Sequence, residues 1–143
     1  MDIKVKYKDG VIPIEKIEIG DWIDLRTAED IEMVCGEYKV IPLGLAVELP
    51  KGYEAIIAPR SSTFKNYGLI CPGSIGVIDN SYCGDDDYWN FPALCLSPKG
   101  TKIKKNERIC QFRIFRNQDP IKAQVVDKLD GVNRGGIGST GTR

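Results

Sequence analysis

The feature that most restricts what this chain can fold into is a series of short segments in which apolar and polar residues alternate. Ile3-Val5-Tyr7, Val40 to Leu49, Glu54 to Ala58 and Ile109 to Phe115 all show it. A period of two places every second side chain on one face, as in a strand with one side buried. Pro and Gly cut the pattern at short intervals: Pro42-Leu43-Gly44, Pro50-Lys51-Gly52, Pro72-Gly73 and Pro98-Lys99-Gly100 read as turns. Many short strands in 143 residues predict a single all-β domain, a sandwich or barrel. One short helix is expected, capped by Ser61 or Ser62, running through Thr63, Phe64, Lys65 and Asn66, and ended by Tyr67-Gly68.

Charge and composition exclude several functions. Lys plus Arg and Asp plus Glu balance at 20 each, so the chain lacks the basic surplus of a general nucleic-acid binder. No apolar run nears the ~20 residues that span a bilayer, and MDIKVKYKDG lacks the apolar stretch of a signal peptide. A soluble, cytoplasmic protein is expected, with no membrane partner. Five cysteines, none in a C-x-x-C pair, read as free thiols rather than a disulfide framework. The chain has no histidine, which removes every Ser-His-Asp and Cys-His scheme. A general base must then be a carboxylate, a lysine, a tyrosine or a thiol.

Four segments carry residues suited to chemistry. Arg60-Ser61-Ser62 sets a guanidinium fork and two hydroxyls at a helix start, a pattern that suits phosphate and is also common on surfaces. In Gly76 to Gly84 an apolar strand ends at Asp79, turns through Asn80-Ser81 and reaches Tyr82, which taken alone is an ordinary hairpin. In Glu107 to Phe112 the alternation puts Ile109, Gln111 and Arg113 on one face and Arg108, Cys110 and Phe112 on the other. The glycine-rich end, Asn133 to Arg143, reads equally as a disordered terminus or as an arm whose amides and hydroxyls cradle phosphate.

Taken in order, Trp22-Ile23-Asp24-Leu25-Arg26, Pro59 to Ser62, Gly76 to Gly84, Arg108 to Gln111 and Arg134 to Gly141 resemble the five motifs of the trimeric dUTPase family. The match runs from about residue 20 to the C-terminus. It implies a jelly-roll-like β-sandwich assembled as a homotrimer, with active sites between subunits. It implies hydrolysis of dUTP to dUMP and pyrophosphate with Mg2+ across the phosphates. By the same resemblance Asp79 activates the water that attacks the α-phosphorus, and Gln111 lies near that water. Tyr82 packs under the deoxyribose, and the hairpin backbone at Gly73, Ile75 and Val77 reads the uracil edge. Arg60, Ser61 and Ser62 bind phosphate, and Asp24 reaches the metal through water. Arg134, Gly136, Ile137, Ser139 and Thr140 lie on a closing arm at 133–143, leaving 1–132 as the β domain.

The chain also departs from the family pattern. Trp22-Ile23 replaces Gly-Tyr, and Ile137 stands where an aromatic usually stacks on uracil, in a motif two residues shorter than usual. Tyr88, Trp89 or Phe91 is expected to supply that lid instead. Asp85-Asp86-Asp87 reads as a solvated turn, with a second metal site as the alternative. A related deaminase acting on dCTP shares the fold and the Arg-Ser-Ser motif, but needs a glutamate where this chain has Trp89. A regulatory nucleotide-binding trimer is the other alternative.

Overall fold

The computed structural model describes residues 1–15 and 18–141. Its strands are β1 (Lys4–Tyr7), β2 (Ile23–Arg26), β3 (Ile31–Met33), β4 (Tyr38–Glu48), β5 (Tyr53–Pro59), β6 (Leu69–Ile70), β7 (Gly76–Ile78), β8 (Tyr88–Cys95), β9 (Thr101–Ile103) and β10 (Arg108–Arg116). A five-residue helix, α1 (Thr63–Tyr67), interrupts them. The strands form two four-stranded antiparallel sheets, β1-β4-β8-β6 and β2-β10-β5-β7, with β3 and β9 paired beside them. The chain is thus an all-β, jelly-roll-like sandwich.

Alternation builds the core. In β8 the side chains of Trp89, Phe91, Ala93 and Cys95 are fully buried while those between them are half-exposed. They join Ile41, Leu43 and Leu45 of β4, Ile57 of β5, Leu25 of β2 and Phe112 of β10 in one cluster. Trp89 meets Phe112 edge-on with centroids 5.2 Å apart, tying one sheet to the other. Burying a side chain of this size contributes about 2–3 kcal/mol. The same burial removes Trp89 and Phe91 as lids over a base, since neither reaches the surface.

Three local expectations change. Pro42-Leu43-Gly44 is not a turn but an irregularity within β4, where the pairing to β8 shifts register between Pro42 and Ala46. Gly44 has φ +69°, and a Cβ there would lie 2.6 Å from the Val11 Cγ2 and 2.8 Å from the Ala28 Cβ. Ile109 does not share a face with Gln111: a bulge between Arg108 and Cys110 takes it out of the alternation, and it is fully buried. Ser62 occupies the position before α1, but its hydroxyl caps nothing. The Thr63 hydroxyl fixes this corner instead, accepting from the Arg60 N–H at 2.8 Å and donating to the Ile109 carbonyl at 2.7 Å. Gly68 ends the helix as expected, left-handed, with its N–H on the Phe64 carbonyl at 2.7 Å.

The regular structure stops at Arg116. Residues 118–141 form no strand or helix and are exposed throughout, Val125, Leu129, Val132 and Ile137 included. Their backbone makes local turns, with Ser139 N–H on the Gly136 carbonyl and Gly141 N–H on the Gly138 carbonyl.

Candidate active site

At the far end of β5 the sheet gathers a charged corner. Pairing places Gln111 of β10 between Asp24 of β2 and Ala58 of β5. Arg60 follows directly after β5, and its Nε donates to the Asp24 carboxylate at 2.8 Å. Arg108 approaches the other Asp24 oxygen at 3.4 Å and offers its carbonyl to the Arg60 guanidinium at 3.3 Å. The Gln111 amide donates to the Pro59 carbonyl at 3.1 Å, which holds the side chain along the sheet and leaves its own oxygen able to accept. Asp24, Arg60 and Gln111 were expected from sequence, and the structure brings them together. Ser61 is exposed and Ser62 half-buried beside them.

Four residues contribute to this corner without having been assigned a role from the sequence. Arg108 and Arg26 share the Glu15 carboxylate at 3.2 and 3.7 Å, extending the ion-pair network along β2. Thr63 anchors the Arg60 backbone from within the core. Only the cluster of alternating charge at Asp24-Leu25-Arg26 hinted at such pairing, and nothing local pointed to Glu15. Two possible bases nearby are also eliminated. Burial pushes the Cys110 thiol well above its ordinary value, helped by Asp24, so it stays protonated. The Tyr67 phenol is also raised, by burial and by its hydrogen bond to Glu107 at 3.0 Å.

The hairpin lies at the near end of β5. Ala55 pairs with Ile78, so Asp79 sits level with the start of β5. Asn80 secures it there by donating to the Pro50 and Tyr53 carbonyls at 3.0 and 2.8 Å. Asp79 is exposed, its Oδ1 accepting from the Ser81 N–H and hydroxyl at 3.3 and 3.2 Å. Its carbonyl accepts the Tyr82 N–H at 3.0 Å, which closes the turn. The Tyr82 hydroxyl donates to the Tyr88 carbonyl at 3.1 Å. Gly73, Ile75 and Val77 are exposed, and Gly73 accepts the Ile75 N–H in a tight turn.

The two clusters do not meet within one chain. Asp79 is level with Glu54 and Arg60 is six positions further along, about 20 Å at strand rise. Arg134, Gly136, Ile137, Ser139 and Thr140 are exposed on the tail and touch neither cluster through a hydrogen bond or ion pair among the described residues. Tyr88 is half-buried under the Lys8 ammonium, 4.4 Å from the ring centroid.

Among the described residues, no group of three or more His, Cys, Asp or Glu converges on a metal position. Asp24, one of the two carboxylates at the arginine corner, suits a different mode. Magnesium keeps several waters and takes its other oxygens from substrate phosphates, needing one or two protein carboxylates at most. No helix among the described residues is long and apolar enough to cross a membrane.

Comparison with known proteins places these features in context. A family model described as dUTPase matches residues 22–142. A prophage-derived deoxyuridine 5′-triphosphate nucleotidohydrolase of Bacillus subtilis is 55% identical over the full length of both chains. The fold matches a staphylococcal bacteriophage 80alpha dUTPase solved with dUpNHpp, at a TM-score of 0.80, 20% identity and 99% coverage of each chain. It also matches a dUTPase variant from phage phi11 of S. aureus, described with a structural Mg(II) ion, at 0.74 and 18% identity over 92% of this chain and 100% of that one. With a family model over most of its length and a relative sharing more than half its residues, the chain belongs to the dUTPase family.

Proposed function

We propose that this chain, a deoxyuridine 5′-triphosphate nucleotidohydrolase by family, cuts dUTP to dUMP and pyrophosphate at sites shared between subunits of a homotrimer. The observation that carries this reading is the separation of Asp79 and Arg60 at opposite ends of β5. A base and its phosphate ligands must lie within a few ångströms of one reacting phosphorus. Two clusters about 20 Å apart on one sheet meet that demand only when a second copy supplies the missing half.

In this reading the Asp79 carboxylate takes a proton from a water as its oxygen attacks the α-phosphorus, and pyrophosphate leaves. Asp79 is exposed and held only by Ser81, so its second oxygen is available to that water. Gln111, with its amide N–H engaged, offers its oxygen to the same water. Arg60, Ser61 and Ser62 take the phosphates, and Arg60 would exchange part of its contact with Asp24 for them. Magnesium, when bound, neutralises charge across the triphosphate, and Asp24 would hold it through its hydration shell. The exposed backbone at Gly73, Ile75 and Val77 reads the uracil edge, and Tyr82 packs under the deoxyribose. The β domain is taken as 1–132 and the arm as 133–143. Arg134, Gly136, Ile137, Ser139 and Thr140 close over the nucleotide from another subunit. The final two residues of that arm lie outside those described. A cytoplasmic location fits the five cysteines, all free.

The dCTP deaminase alternative finds no support, because Trp89 fills the core where that chemistry needs a carboxylate. The test is direct. Purified protein with magnesium is given dUTP, dCTP, dTTP and UTP, and pyrophosphate and ammonia are followed. Pyrophosphate from dUTP alone is expected; ammonia from dCTP overturns the reading. Asp79→Asn should keep nucleotide binding while kcat drops by about 10²–10⁴.

A further inference from the structure

The acidic run after the hairpin takes no part in the reaction described above, yet its contacts lead back to Tyr82. Asp87 folds over the preceding turn: its Oδ2 accepts the Gly84 N–H at 2.7 Å, while its own N–H donates to the Gly84 carbonyl at 3.1 Å. The approach is close enough that a Cβ on Gly84 would lie 2.8 Å from that carboxylate oxygen. From the other side, Lys6 of β1 donates to the Asp85 carbonyl at 2.9 Å and lies 3.5 Å from its carboxylate. The turn ends with the Tyr88 N–H on the Asp86 carbonyl at 2.9 Å.

What this loop delivers is the Tyr88 carbonyl. It accepts the Tyr82 hydroxyl at 3.1 Å and the Asn90 amide at 2.8 Å. Tyr82 is otherwise a partly exposed side chain on a hairpin, free to choose among rotamers. A ring that excludes a 2′-hydroxyl must stay in place, because the selectivity is steric and is lost if the ring can swing away.

We infer that Asp87 is a positioning residue for sugar selection: its bond to Gly84 sets the path of residues 84–88, and so the carbonyl that pins the Tyr82 ring. The bond is charge-assisted, which makes it roughly twice as strong as the main-chain bond beside it. Asp87 touches no substrate in this scheme. It acts through Tyr82, and the inference rests on the reading of Tyr82 as the surface under the deoxyribose.

The experiment compares kcat/KM for dUTP and for UTP in Asp87→Ala, Asp87→Asn, Asp86→Ala and Tyr82→Ala. Asp87→Ala should lower the dUTP-to-UTP ratio roughly tenfold, mainly by admitting UTP, as expected for loss of one charge-assisted hydrogen bond. Asp87→Asn, whose amide oxygen still accepts the Gly84 N–H, should restore most of the ratio. Asp86→Ala, whose carboxylate makes none of these bonds, should behave as wild type. Tyr82→Ala should collapse the ratio further than any of them. If Asp87→Ala slows both nucleotides equally, or changes neither while Tyr82→Ala collapses the ratio, Asp87 is structural and the inference fails alone. If Asp87→Asn is as permissive as Asp87→Ala, the hydrogen bond is not the cause and the inference also fails. An unchanged ratio in Tyr82→Ala removes the underlying reading of Tyr82 together with the inference.

Discussion

The two ends of β5 are built in opposite ways. At the hairpin, Asp79 is exposed and its carboxylate is held by Ser81, two positions away. At the arginine corner the bonds join residues far apart in sequence, among them Thr63 to Ile109, Arg60 to Arg108, Gln111 to Pro59 and Arg60 to Asp24. The hairpin end presents a reactive group with little holding it in place. The arginine end is already neutralised by its own carboxylates before any phosphate arrives. In the proposed reading a base needs access to water, whereas several guanidiniums placed side by side need anions between them to offset their mutual repulsion. In the same reading, this difference lets one chain carry both halves without their interfering, each completed by a second copy.

The largest effect should come from setting the two ends against each other in mixed assemblies. Asp79→Asn and Arg60→Ala should each be nearly inactive. Co-refolded at equal amounts, they should recover about a quarter of wild-type activity, because a site drawing its hairpin and its arginine from different chains is fully intact with that frequency. No recovery would mean that both groups serve the same site from one chain, and the comparison would break. Next in size is Asp24→Asn. Arg60 and Arg108 would lose their shared partner, and with side chains 27% and 22% exposed the Arg60–Asp24 pair is only partly screened. A fall in kcat/KM of roughly 10–100-fold and a loss of about 1–2 kcal/mol in urea unfolding are expected. A gain in nucleotide affinity would show instead that Asp24 restrains Arg60. Smaller again is Thr63→Val. It keeps the shape but orphans the Arg60 N–H and the Ile109 carbonyl, costing about 1–3 kcal/mol in stability. Its effect on kcat should be slight unless the Arg60 backbone moves.

The same contrast governs what could be read from the sequence. The hairpin was legible because its parts are contiguous: Gly76-Val77-Ile78 as strand, Asp79-Asn80 as turn and Tyr82 after it all stand as expected. The turn at Pro50, the end of α1 at Gly68 and the expectation of a β-sandwich were legible for the same local reasons. At the arginine corner the residue types stood out, but not their pairing. Asp24 bonding to Arg60 depends on β10 lying between β2 and β5, a choice made by the whole core. Bulges caused the other errors. A one-residue irregularity in β10 moved Ile109 inward, and another in β4 absorbed what looked like a Pro-Gly turn. Periodicity cannot reveal a bulge, since the pattern on either side of it remains regular. Trp89 and Phe91 show the converse: the alternation of Tyr88 to Cys95 already points both side chains inward, which leaves neither free to serve as a lid.

The smallest predicted effect is the most discriminating for the hairpin end. Ser81→Ala removes one of the two bonds to the Asp79 carboxylate, the hydroxyl's, and keeps the one from the backbone N–H of residue 81. The lost hydroxyl contact is 3.2 Å long and exposed to solvent, so water replaces it and unfolding free energy should change by less than about 0.5 kcal/mol. If Asp79 is held only by its local turn, its carboxylate should wander more in the variant, and kcat should fall a few-fold while KM stays put. The arginine end offers no equivalent: removing any one contact there disturbs residues from other strands, so stability and KM move together. A Ser81→Ala enzyme that lost a kcal/mol or more of stability would show that the Asp79 carboxylate, and not only the hairpin backbone that Asn80 anchors, is tied into the body.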